Sequence, residues 1–127
     1  MRMSKLIIEA FVLYTPFFIS AQAHLGDWTY ELNQPNGTVD TVKLTIQNNG
    51  IILGDFGNDG TIDSYTVYTI DNDKITIQDV NTDSPCYDVI GVYELRIKGN
   101  TNTVRAVHDP CELRRNGHND IQMKRPE

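Results

Sequence analysis

Thiols are scarce in this chain: among its 127 residues only Cys86 and Cys111 carry one. Two cysteines cannot close a tetrahedral zinc site, and neither has a histidine at motif spacing. Cationic residues are also few, 11 Lys and Arg against 17 Asp and Glu. The resulting net charge of −6 argues against a nucleic-acid partner, which needs a basic footprint. No Gly-x-Ser-x-Gly elbow surrounds Ser64 or Ser84, and no phosphate-cradling glycine loop occurs. Nothing therefore calls for an enzyme or for a cofactor. A sustained helical period is missing too. What remains, 39% hydrophobic and 22% charged residues, is the composition of one folded domain.

The one long apolar stretch lies at the N-terminus. A basic start, Met1-Arg2-Met3-Ser4-Lys5, precedes Leu6 to Ile19, which Glu9 and Pro16 interrupt, and Ala21-Gln22-Ala23 closes it. That order reads as a signal peptide over 1–23 with cleavage after Ala23, leaving a single domain over 24–127. The stretch falls short of the roughly 20 apolar residues that span a bilayer, so no membrane contact is expected after cleavage. A secreted or periplasmic address would place Cys86 and Cys111 in an oxidising compartment, where an even count favours one disulfide.

Period-two alternation dominates the rest. Trp28, Tyr30 and Leu32 share one face of a first strand; Val42, Leu44 and Ile46 share one face of a second. Asn48-Asn49-Gly50 and Asn58-Asp59-Gly60 are hairpin signals flanking Ile51 to Phe56. Further strands are predicted over Thr61 to Ile70, Lys74 to Val80, Val89 to Ile97, Thr103 to His108 and Ile121 to Lys124. The loop from Pro110 to Asn119 has room for a turn or so of helix. About eight strands joined by short links form an antiparallel meander, which hides its edges by closing into a barrel. A two-sheet sandwich is the competing arrangement.

Several segments resemble a known family. Gly26-Asp27-Trp28, opening the first strand, looks like the Gly-x-Trp signature of lipocalin-type (calycin) barrels. Gly91-Val92-Tyr93-Glu94-Leu95, Gly99-Asn100-Thr101 and Asp109-Pro110-Cys111 with Arg114 and Arg115 are similar to small bacterial secreted lipocalin-like domains. The resemblance implies that Trp28 closes one barrel end and that a basic residue near the C-terminus packs over its ring. Arg125 is the best-placed candidate, with Lys124, Arg114 and Arg115 as alternatives. It also implies non-catalytic binding of a small, partly apolar ligand, for which Trp28, Tyr30, Tyr93, Leu95 and His108 are the interior-facing candidates.

Two metal readings compete. Asp55, Asp59 and Asp63 take positions one, five and nine of a calcium-loop-like segment, with Gly60 at six, although Gly57 brings no side-chain oxygen to position three and Thr66 stands at twelve where a bidentate Glu is needed. His24, as a mature N-terminus, could chelate copper through its amine and imidazole with His108 or His118. Asp55 and Asp63 could also flank a glycosidic bond, and Asn36-Gly37-Thr38 fits a glycosylation acceptor. The remaining alternative is a structural or assembly domain with a packed interior. The sequence leaves oligomeric state open.

Overall fold

The computed structural model describes residues 22–126. The expected signal peptide therefore falls almost wholly outside the described residues. Eight strands follow one another: β1 (Gly26–Asn33), β2 (Val39–Ile46), β3 (Ile51–Phe56), β4 (Ser64–Asp71), β5 (Lys74–Asp79), β6 (Ile90–Lys98), β7 (Thr101–His108) and β8 (Ile121–Lys124). One helix, α1 (Glu112–His118), stands between β7 and β8. Each strand pairs antiparallel with the one before it, and Thr29 of β1 meets Lys124 of β8, so the sheet closes into a barrel. Closure removes both free edges, which a sandwich would leave open.

Strand direction gives the barrel two distinct ends. Odd-numbered strands run from the end that holds Trp28 toward the end that holds α1. The links 34–38, 57–63, 80–89 and 109–120 consequently lie at the helix end. Short turns at 47–50, 72–73 and 99–100 lie at the tryptophan end, where Asn72 and Gly99 take the positive φ values of 59° and 61° that tight turns need.

Alternation sends every second side chain inward. Trp28, Tyr30, Val42, Ile46, Tyr93 and Leu95 belong to one contiguous buried cluster, and every strand adds to it or packs against it. Each large side chain removed from water contributes about 1.5–3 kcal/mol.

The starts of β4 and β7 differ most from the predicted strand ranges. β4 opens at Ser64 rather than Thr61, because residues 57–63 are taken up by a loop organised around Asp55. β7 opens at Thr101 rather than Thr103, because the turn needs only residues 99–100, and this carries Asn102 into the wall with no exposed surface.

Candidate functional site

At the tryptophan end the chain enters β1 through a turn in which the Leu25 N–H donates to the Gln22 carbonyl (3.2 Å). Trp28 is completely buried, and its indole N–H donates to the His24 carbonyl (2.9 Å). Arg125, just past β8, lays its guanidinium over the ring, with Cζ 3.7 Å from the centroid. Its Nη1 donates to the carbonyls of Leu25 (2.7 Å) and Asp27 (3.2 Å), and its Nη2 to that of Ala23 (2.8 Å). Gly26 makes this possible: at φ +103° a Cβ would stand 2.9 Å from Arg125 Nη1. The residues expected to close the barrel, Gly26, Trp28 and Arg125, are therefore brought together. Arg114, an alternative for that role, sits at the other end.

The helix end is closed by polar chemistry. The Asp109 carboxylate accepts Nε (2.7 Å) and Nη2 (2.9 Å) of Arg114 and, on Oδ2, the hydroxyl of Tyr93. Arg114 also donates to the Val89 carbonyl (2.8 Å) and faces Asp79 at 3.4 Å. Asp79 in turn accepts the hydroxyls of Thr66 (3.0 Å) and Ser84 (2.8 Å). Burial alone would raise the Asp109 pKa, but the Arg114 and Tyr93 hydrogen bonds hold it below the usual carboxylate value. Gly91 leaves the pair its room, since a Cβ there would lie 2.9 Å from the Asp109 carboxyl.

A second contact ties α1 to the barrel. His118 Nδ1 lies 2.9 Å from the Arg114 carbonyl, which can only accept, so Nδ1 carries the proton. Nε2 is then free to accept the Tyr30 hydroxyl at 2.6 Å. Burial pushes His118 below its ordinary pKa, against the favourable pull of that carbonyl. Burial likewise raises both Tyr30 and Tyr93. The covalent tether is the disulfide Cys86–Cys111, which joins the β5–β6 loop to the residue preceding α1. That bond is compatible with an extracellular location.

No family model, curated protein or solved structure matches this chain.

Of the expected interior residues, Trp28, Tyr30, Tyr93 and Leu95 are buried in the barrel. His108 is not: it lies exposed on the outer surface. The register pairs Val92 with His108 but Tyr93 with Ala106, so one extra residue bulges out of β7 and reverses the alternation expected from Val104 and Ala106. The copper pair fails with it. His24 precedes β1 at the tryptophan end, buried beside Tyr68 (ring centroids 5.8 Å apart), whereas His108 ends β7 at the opposite end. Burial also lowers the His24 pKa. His118, the other copper alternative, shares the helix end with His108.

The calcium candidates do converge, with facing oxygens of Asp55, Asp59 and Asp63 within 4.8 Å of one another. Each carboxylate already holds the loop backbone. Asp55 accepts the N–H groups of Asp59 (3.0 Å) and Gly60 (2.9 Å), Asp59 that of Thr61 (2.9 Å), and Asp63 that of Phe56 (2.8 Å). Desolvation opposes ionisation of Asp55, but the Gly60 and Asp59 amides outweigh it and lower its pKa. Thr66, at the twelfth position, is turned into the barrel and bonded to Asp79, so it offers the loop no ligand. Asn36 uses its side-chain oxygen to accept the N–H (3.0 Å) and hydroxyl (2.7 Å) of Thr38, holding a turn between β1 and β2.

Sequence reasoning missed the Asp109–Arg114 pair, the Tyr30–His118 bond and Asn102. A carboxylate two residues before a cysteine and an arginine three after it was the available signal for the first. Asn102 shares the parity of Val104, which would have marked it as inward once the turn was shortened. Neither its amide nitrogen nor its oxygen has a hydrogen-bond partner among the described residues.

Proposed function

We propose that this chain is a secreted, non-catalytic binding module: a lipocalin-like barrel whose interior is filled by its own side chains and which engages its partner through its outer surface. The observation carrying this reading is the continuous buried cluster running from Trp28 to Tyr30 and Tyr93. Among the titratable groups buried with it, Tyr93 and Arg114 are paired on Asp109 and Tyr30 on His118. Groups spent on mutual hydrogen bonds in a packed interior hold structure rather than perform proton transfer, which needs access to a substrate. The Trp28–Arg125 closure supports the lipocalin-like assignment, and the disulfide supports secretion.

A second reading keeps a small, partly apolar ligand inside the barrel, beneath α1. It is favoured by one feature: α1 is a separate lid, seven residues long, anchored to the barrel by polar contacts and one disulfide. Titration with 1-anilinonaphthalene-8-sulfonate and with palmitate, followed by Trp28 emission, separates the two. A filled interior predicts unchanged emission at probe concentrations up to roughly 100 micromolar, well into the range of weak binding. A saturable change that Tyr93→Phe or Tyr30→Phe weakens would instead establish the interior site.

A further inference from the structure

Among the described residues, most large apolar side chains left exposed lie toward one end. Phe56 closes β3, Val80 follows β5, Tyr87 lies in the β5–β6 loop, Ile90 opens β6, Val107 is at the end of β7 and Leu113 is in α1. All six belong to the helix end. Leu113 is 67% exposed, Ile90 53% and Tyr87 47%, although a seven-residue helix has an inward face available for its one leucine. Arg114 and His118 take that face instead. The disulfide holds Tyr87, one residue past Cys86, and Leu113, two past Cys111, on the same side of the molecule. Exposed apolar groups gathered in this way mark interaction surfaces in soluble proteins.

Exposed carboxylates outnumber exposed cations at the same end. Asp59, Asp63, Asp83, Asp88 and Glu112 are exposed on its loops and helix. Of the cations nearby, Arg114 is paired with Asp109 and Asp79 and Arg105 with Asp120 (3.3 Å), while Arg115 donates to the neutral Asp109 carbonyl (2.9 Å) and Lys43 lies across from Asp55. The tryptophan end differs, with Lys74, Lys98 and Lys124 interspersed among Asp27, Asp71 and Asp73. An anionic lipid surface or an acidic protein would be repelled from the helix end. A partner must match both features, apolar contact and positive charge.

We infer that the helix end of the barrel docks a cationic amphipathic polypeptide segment, with its apolar side on Leu113, Ile90 and Tyr87 and its Lys or Arg residues facing the surrounding carboxylates. This rests on the surface-binding reading above and adds the place and the partner class. The basic side chains steer the encounter, and the apolar contact supplies the salt-resistant share of the affinity.

The test uses the disulfide-intact protein and a fluorophore-labelled Lys/Leu amphipathic helical peptide, followed by anisotropy. Expected is saturable binding at roughly physiological salt, with Leu113→Lys plus Ile90→Lys raising the Kd at least tenfold. Lys98→Glu at the opposite end should leave the Kd unchanged within twofold, and a Glu/Leu peptide of the same pattern should not bind. Circular dichroism and melting verify each variant; if the double variant does not fold, Glu112→Lys with Asp83→Lys takes its place, with the same tenfold expectation. No binding of the Lys/Leu peptide, or binding equally strong in the variants, overturns the proposal. Failure of the parent reading is seen separately, as a palmitate or naphthalene-sulfonate response of Trp28 that these surface variants do not alter.

Discussion

Arg125 illustrates how much one exposed-looking side chain can organise. Its guanidinium covers Trp28 and its donors reach three carbonyls of the segment that leads into β1. A cation over an indole contributes about 0.5–2 kcal/mol, and charge-assisted hydrogen bonds add to it. Arg125→Ala should therefore lower the unfolding free energy by about 1–3 kcal/mol. The uncovered indole should also shift its emission to longer wavelength as water reaches it. Denaturant unfolding followed by Trp28 fluorescence measures both, and an unchanged spectrum with unchanged stability would remove Arg125 from the closure. Its role was legible only through the resemblance of Gly26-Asp27-Trp28 to the lipocalin-type signature, which implies a basic residue near the C-terminus over the ring. The role of Arg114 was not, because an arginine in a loop reads as solvated until a buried carboxylate is found facing it.

Among the elements, α1 depends most on others. Seven residues are too few for a helix to persist alone in water, and Cys111 at its start caps it with no side-chain hydrogen bond. Its stability comes from Asp109–Arg114, Tyr30–His118 and the disulfide. Replacing Cys86 and Cys111 by Ala opens a loop of 25 residues and should cost about 3–4 kcal/mol in the chain-entropy description. Hydrogen exchange should then show the amides of Glu112–His118 losing protection before those of β1 and β2; uniform loss across the barrel would mean that the tether stabilises the whole fold rather than the helix. The strands themselves were nearly all readable from alternation, β3 and β8 to the residue. Where the reading failed, a local hydrogen-bonding pattern had overridden the period: Asp55 gathering the loop before β4, and the extra residue in β7 that turns His108 outward.

For the molecule as a whole, buried titratable groups define a window of maximal stability. His24 and His118 have folded pKa values below 6.5, so the unfolded chain takes up protons first as the solution is acidified. Stability is complete above about pH 6.5 and declines below it, by at most about 1.4 kcal/mol per pH unit for each histidine. Asp55 and Asp109, held below 3.8, add a second loss once the pH falls under roughly 4. Tyr30 and Tyr93 are raised above 10.0, so the unfolded chain ionises first in base and stability declines again above about pH 10. Melting temperatures across this range should form a plateau between the histidine and tyrosine limits, and His118→Gln should flatten its acid shoulder; a profile flat from pH 7 to 4 would contradict the histidine assignments. One geometric fact bears on how such a molecule can be handled. Ala23 and Arg125 are hydrogen-bonded neighbours, so the described chain enters and leaves the barrel side by side, at the pole opposite α1. A support or fusion attached beside Ala23 or Arg125 would hold the barrel by its base and leave the acidic, apolar face turned outward to the surroundings.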